Sequence, residues 1–198
     1  MNVYIRPIRY DDAIKVLEWE NNIENWHVSD NNSKYELNDI LRLIDSLGDI
    51  KHSRQARWII CDSKTHFRLG AVDLFEINLI EEKARVGILI ADKENRKKGF
   101  ASKAIRLLED EAINLGVNKL ICTIYSDNKA SLALFEKCNF KKNVSLEKSY
   151  LSNDDYLDSI LFEKCLKYYL LFFYFYLFFC LSTIERILFF FSKKILEQ

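Results

Sequence analysis

The stretch from Ile88 to Ile124 constrains the fold more than any other part of the chain. Ile88-Leu-Ile-Ala91 reads as an apolar strand. It runs into the charged, glycine-bearing loop Asp92–Ala101, and then into a helical pattern from Ser102 to Leu115 that stops at Gly116. Leu120-Ile-Cys-Thr-Ile124 is a second apolar strand. Two strands joined by a helix of this length run parallel, with a right-handed crossover.

The rest of the first 165 residues predicts elements that build around this crossover. Val3-Tyr-Ile-Arg6 is a short strand ended by Pro7, and Asp11 or Asp12 caps a helix with Ile14, Leu17 and Trp19 at apolar spacing. Leu37, Ile40, Leu41 and Ile44 mark a second amphipathic helix, stopped at Gly48. Trp58–Cys61, Leu69–Ile77 and Ala84–Ile90 follow as strands, the last two close enough for an antiparallel hairpin. A short helix over Asn128–Lys137, an extended piece from Phe140 and a strand over Asp158–Phe162 complete the set. The expected fold class is α/β, with one parallel pairing inside an otherwise antiparallel mixed sheet.

Composition narrows the function classes. Lys+Arg and Asp+Glu both total 29 in the 198 residues. Polyanion binders carry a basic surplus, so no nucleic-acid partner is expected. The five cysteines (61, 122, 138, 165 and 180) form no Cys-x-x-Cys pair. Neither a disulfide framework nor a metal site is expected, and a reducing cytoplasm fits best. The opening MNVYIRPIRYDD carries early charge and no apolar run, so no secretory signal is expected.

A compositional break sets residues 166–198 apart from residues 1–165. Twelve of the 27 aromatic residues lie in this tail. Residues 168–184 carry no charge, and as a helix they would span about 25 Å, short of the roughly 30 Å apolar core of a bilayer. The tail is expected to be a helical extension without a catalytic part. Membrane contact through residues 168–191, or packing in a homodimer, are the alternatives. Without the tail, the body carries 25 basic and 27 acidic residues.

The loop Arg96–Ala101 is the main candidate for chemistry. Backbone N–H groups at a helix N-terminus attract anions, and Gly99 lets a ligand approach closely. Arg96, Lys97, Lys98, Lys103 and Arg106 add positive charge, which suits a pyrophosphate with a further phosphate. Taken alone, the loop reads equally well as a solvated basic helix start. Neither a Walker A loop nor a Gly-x-Gly-x-x-Gly fingerprint is present.

Arg96-Lys-Lys-Gly99-Phe-Ala101 resembles the Arg/Gln-x-x-Gly-x-Gly/Ala motif of the GNAT family of N-acetyltransferases. Asn128-Lys-Ala-Ser131-Leu-Ala-Leu-Phe135-Glu-Lys-Cys-Asn139-Phe140 resembles that family's Asn-x-x-Ser helix followed by Glu-Lys-x-Gly-Phe. The expected element order resembles the family's over about Tyr4 to Lys164. Glu20-Asn-Asn22, Trp26-His-Val-Ser29 and Asp73-Leu-Phe-Glu76 are similar to the ribosomal-protein N-terminal and diamine acetyltransferase branch.

The resemblance implies acetyl-CoA as co-substrate, bound where Arg85–Ala91 and Lys119–Ile124 splay apart. The amides of Arg96, Lys97, Lys98, Gly99, Phe100 and Ala101 would hold its pyrophosphate, and Asn128 and Ser131 its arm. An N–H near Leu89 or Ile90 would polarise the thioester. The acceptor is a small-molecule or peptide amine: a polyamine, an amino sugar or a protein N-terminus. A carboxylate would deprotonate it, directly or through water. Asp73 and Glu76 are the candidates, and strand alternation puts Asp73 with Phe75 and Glu76 with Leu74, leaving one facing the cleft. Glu20 and Trp26 would bind the amine. The family's usual Tyr acid is replaced by Phe135, with Tyr125 as a substitute, and Asn139 stands where Gly is usual. A non-catalytic acyl-CoA-binding module is the alternative reading.

Overall fold

The computed structural model describes residues 2–28, 34–150 and 156–166. The expectations for residues 168–191 lie outside the described residues. The chain divides into two units between Lys164 and Cys165, and the sheet and helices belong to the first, Met1–Lys164, whose last strand ends at Cys165.

Seven strands form one sheet in the order β1-β2-β3-β4-β5-β7-β6. They are β1 (Val3–Pro7), β2 (Ala56–Asp62), β3 (Arg68–Asn78), β4 (Lys83–Ile90), β5 (Lys119–Tyr125), β6 (Lys141–Tyr150) and β7 (Tyr156–Cys165). The helices are α1 (Ala13–Glu20), α2 (Leu37–Ser46), α3 (Ile50–Ser53), α4 (Phe100–Asn114) and α5 (Lys129–Lys137). β4 and β5 pair in parallel, as the helical crossover dictates, while β1 to β4 pair antiparallel in succession. Ser126 bonds to Asp158, and Lys119 pairs with Glu163, so β5 and β7 run in opposite directions.

Each face of the sheet receives helices. Ala13, Val16 and Trp19 of α1 and Ile40 and Ile44 of α2 form a core with Ile59, Cys61, Ala71 and Ala91. These sheet positions are odd-numbered and share one face, which Arg57, Asp73 and Gly87 extend. The expected stripe of α1 is rotated: Ile14 is 66% exposed and Val16 is buried. Asp12, the residue before α1, is itself buried, as are Ala13 and Val16. Ala104, Ile105, Leu108 and Ala112 form the fully buried stripe of α4.

Two backbone irregularities shape the centre of the sheet. At Gly70, an added Cβ would lie 1.9 Å from the Leu89 carbonyl oxygen, so only glycine lets β3 and β4 approach this closely. Between Phe75 and Asn78 the β3–β4 register slips, with Glu76 at φ +49°. A bulge of this kind resets the alternation of side chains.

α5 ends in a Schellman motif: Phe140 N–H bonds to Phe135 O and Asn139 N–H to Glu136 O. Asn139 adopts φ +63°, the left-handed conformation that Asn tolerates in place of Gly. Phe135 and Phe140 make the apolar contact of this motif, edge to face at 5.0 Å between centroids.

Candidate active site

The parallel ladder between β4 and β5 runs from Lys83↔Lys119 to Arg85↔Ile121. Both strands continue past it, β4 to Ile90 and β5 to Tyr125, so they splay apart after Arg85. The hydrogen-bond phase of β3 and β4 tells which groups face the opening. Ala91 N–H bonds to Leu69 O at 3.0 Å. In an antiparallel ladder such bonds recur at every second residue, so Leu89 and Gly87 also turn their backbone groups to β3. Ile88 and Ile90 turn theirs toward β5. Of the two residues named from the sequence, Ile90 offers its N–H to the splay, and Leu89 faces the neighbouring strand.

Beside this opening lies the turn before α4. Six successive amides, Lys97 to Ser102, have no acceptor among the described residues, and the first helical bond is Lys103 N–H to Gly99 O. A glycine at the N-cap supplies no side-chain cap, so these donors remain for an anion. Lys97 (φ +60°) and Gly99 (φ +82°) give the turn its curl. Phe100, 5% exposed, pins the helix start in the core, and Ser102 Oγ donates to Gly99 O at 3.0 Å. Lys97 and Lys98 are exposed. The Arg96 guanidinium turns inward instead: Nε donates to Ile90 O at 2.9 Å, and Nη2 to Asn25 Oδ1 at 2.8 Å and Ala91 O at 3.2 Å. Across the opening, Asn128 caps α5 by accepting Ser131 N–H at 3.0 Å, which occupies its oxygen and leaves its amide nitrogen.

The face of the sheet beneath α1 holds the candidate carboxylates. Arg57 donates from Nε and Nη2 to Asp73, at 2.7 and 3.2 Å, and from Nη1 to Glu20 at 2.8 Å. Burial opposes the Arg57 charge, but the fields of Asp73 and Glu20 outweigh it and hold its pKa above the ordinary value. Two carboxylates sharing one guanidinium leave this cluster with a formal charge of −1. Glu76 receives Arg85 Nε at 2.9 Å, and Arg85 Nη1 donates to Thr123 Oγ1 at 2.9 Å. The expected pairing of Glu76 with Leu74 on one face fails. Leu74 is fully buried, while the Glu76 side chain is 65% exposed and reaches the partner of Phe75 across the ladder. The bulge is the cause, and no period-two reading could contain it.

Tyr125 ends β5 on the face shared with Thr123 and Ile121. Phe135 is a core residue, 4% exposed. Burial raises the Cys138 thiol pKa above its usual range, which disfavours the thiolate a nucleophile needs. The backbone of Trp26 lies in a 3-10 turn, Ile23–Val28, and its side chain lies outside what the structure describes. Among the described residues, no group of three or more His, Cys, Asp or Glu could hold a metal ion.

A splayed parallel pair beside a glycine-capped turn of open amides is the arrangement the motifs implied. A family model described as the acetyltransferase (GNAT) domain matches residues 2–141. The chain belongs to the GNAT acetyltransferase family. The spermidine N(1)-acetyltransferase of Vibrio cholerae is 30% identical over 110 residues, 55% of this chain and 62% of that protein. The match therefore spans less than two thirds of that relative's length.

The solved structure of a Vibrio cholerae spermidine N-acetyltransferase with CoA and spermine aligns at TM-score 0.75 and 22% identity, covering 85% of this chain and 98% of that one. A ribosomal alpha-N-protein acetyltransferase with coenzyme A aligns at 0.72 and 13% identity, covering 84% and 95%. An N-acetyltransferase from Staphylococcus aureus aligns at 0.70 and 22% identity, covering 84% and 100%. At these identities the likeness is one of fold, and it covers the GNAT body of the chain.

Proposed function

We propose that this GNAT protein transfers the acetyl group of acetyl-CoA to a primary amine by direct attack. The observation that carries the reading is the splay of β4 and β5 beside the open amides of Lys97–Ser102. In this reading those amides and the α4 dipole hold the pyrophosphate. Ile90 N–H donates to the thioester carbonyl as negative charge develops there, and Asn128 Nδ2 donates to the cofactor arm.

The amine approaches from the α1 side, near Glu20, Asp73 and Glu76. It must reach the carbonyl as the neutral form. Its proton passes to a carboxylate directly or through water, nitrogen bonds to the carbonyl carbon, and the bond to the CoA sulfur breaks. Both oxygens of Asp73 already face Arg57, whereas Glu76 engages Arg85 through one. Glu76 is accordingly the better candidate for the base. Tyr125, on the same face, is the candidate donor to the departing thiolate.

The net negative charge of the Glu20–Arg57–Asp73 cluster favours a cationic acceptor, and a polyamine ranks first among the candidate amines. The name of the Vibrio cholerae relative supports this choice. Self-association belongs to the same proposal, since one structure of that relative's kind is dodecameric. So does a cytoplasmic location, as the reading of the cysteines suggests. Among the described residues no helix is long and apolar enough to cross a membrane.

The test incubates the full chain with acetyl-CoA and a panel of spermidine, spermine, amino sugars and N-terminal peptides, with CoA release followed by thiol titration. Amine-dependent release greatest with the polyamines is expected. CoA binding without release across the panel would favour a non-catalytic acyl-CoA module, the reading that Phe135 keeps in view.

A further inference from the structure

The side chain of Arg96 does something its place in the motif does not require. It leaves the anion-facing side of the turn and bonds to three oxygens on two other elements. Two belong to the end of β4, Ile90 O and Ala91 O. The third is Asn25 Oδ1, in the 3-10 turn that follows α1.

Asn25 is itself a buried joint, 3% exposed. Its Nδ2 donates to Trp19 O at 3.0 Å, and its N–H to Asn22 O at 2.8 Å. These bonds link the Trp19 carbonyl, the Asn25 side chain, the Arg96 guanidinium and the Ile90 carbonyl into one chain, with Asn25 buried and Arg96 half-buried. Such networks hold one geometry, because each broken bond strands a buried polar group. A second link runs beside it, Lys93 Nζ to Glu24 Oε1 at 2.7 Å. It is exposed on both sides and adds little by itself.

We propose that Arg96 and Asn25 are positioning residues that couple the pyrophosphate turn to the amine-side turn Ile23–Val28. The proposal rests on the acetyl-transfer reading above. A phosphate group bound to the amides after Arg96 fixes the Arg96 backbone. The guanidinium then fixes Asn25, and with it the turn that continues from Glu20. The same guanidinium holds the Ile90 carbonyl, which leaves the Ile90 N–H as the polar group that peptide edge turns to the splay. Cofactor binding thereby aligns both the donor at the thioester and the surface that receives the amine. The amine is consequently bound more tightly after CoA than before it, and by linkage CoA more tightly after the amine.

The experiment uses the full chain, CoA and spermidine. Isothermal titration first measures CoA binding. Hydrogen exchange read by mass spectrometry then follows the peptide covering residues 22–28 with and without saturating CoA. In the wild type, CoA is expected to slow exchange in this peptide by about fivefold or more, within the usual range of coupling between sites.

In Asn25→Ala, CoA affinity should stay within about twofold, the slowing should vanish, and the KM for spermidine should rise about tenfold with a smaller change in kcat. Asn25→Asp keeps an oxygen toward Arg96 and should restore most of the coupling. Arg96→Lys replaces the planar fork that bonds Ile90 and Asn25 from separate nitrogens with a single flexible ammonium, and should weaken the coupling even if Asn25→Ala does not fold. Absence of CoA binding in the wild type would sink the acetyl-transfer reading itself. CoA binding with no response in residues 22–28, or an equal response in Asn25→Ala and Arg96→Lys, would overturn the coupling alone. A uniform loss of stability and CoA affinity in Asn25→Ala that Asn25→Asp does not restore would also overturn it.

Discussion

A glycine at residue 99 is demanded by the backbone and not by crowding. Its φ is +82°, and an added Cβ would meet no protein atom within 4 Å. Gly99→Ala should therefore cost about 1 kcal/mol of stability, the usual strain of an L-residue in the left-handed region. Gly99→Asp adds a carboxylate where the pyrophosphate is proposed to sit, and like-charge repulsion should weaken CoA binding at least about tenfold. Titration calorimetry reads both variants, and an unchanged affinity in Gly99→Asp would remove this turn from the site. At this scale the motif residues were legible because amides before a helix do the same chemistry in any fold. The use of the Arg96 side chain was not. Its partners lie 71 and six residues away in sequence, and only folding brings them to one place.

Secondary-structure elements are joined at the edge of the sheet by one buried carboxylate. Asp12, with no exposure, accepts Arg6 at 2.7 and 2.8 Å from β1, Arg68 at 2.7 Å from the start of β3, and the Arg9 N–H at 2.9 Å. Burial works against its charge, and the bonds from Arg6 and Arg9 with the field of Arg68 outweigh it, so its pKa is lowered. Removing it in Asp12→Ala leaves two partly buried arginines unpaired and should cost about 3 kcal/mol in urea denaturation at pH 7. The sign of the pH effect follows from the lowered pKa. Asp12 contributes fully above the unfolded carboxylate value, about pH 4, and its contribution is lost as pH falls through the lower folded value. The gap between wild type and Asp12→Ala should thus be flat from pH 7 to about pH 5 and close on further acidification. A gap that widens on acidification would contradict the network. The strands and helices here were readable from periodicity. The bulge at Phe75–Asn78 was not, because it depends on how β3 and β4 settle against each other.

For the whole molecule, the boundary with the aromatic tail matters most. The composition changes after Cys165, and the chain parts between Lys164 and Cys165. Lys164 Nζ holds both oxygens of Glu109 at 2.7 Å and the Cys138 carbonyl at 2.9 Å, which ties the end of β7 to α4 and the end of α5. We therefore propose Cys165, where β7 ends, as the last residue of the GNAT domain. A chain ending there should bind CoA within about twofold of the full chain, since RT ln 2 is about 0.4 kcal/mol, small beside a lost contact. Loss of binding or of cooperative thermal unfolding in the shortened chain would show that the tail supports the site.

The sequence by itself determined the parallel crossover, the amide-rich turn and the family, because each depends on residue types at short, fixed spacing. Tertiary structure decided which of Leu89 and Ile90 faces the splay, where Glu76 points, and what Arg96 and Arg57 hold. These depend on ladder phase, one bulge and pairings distant in sequence, which local spacing does not encode.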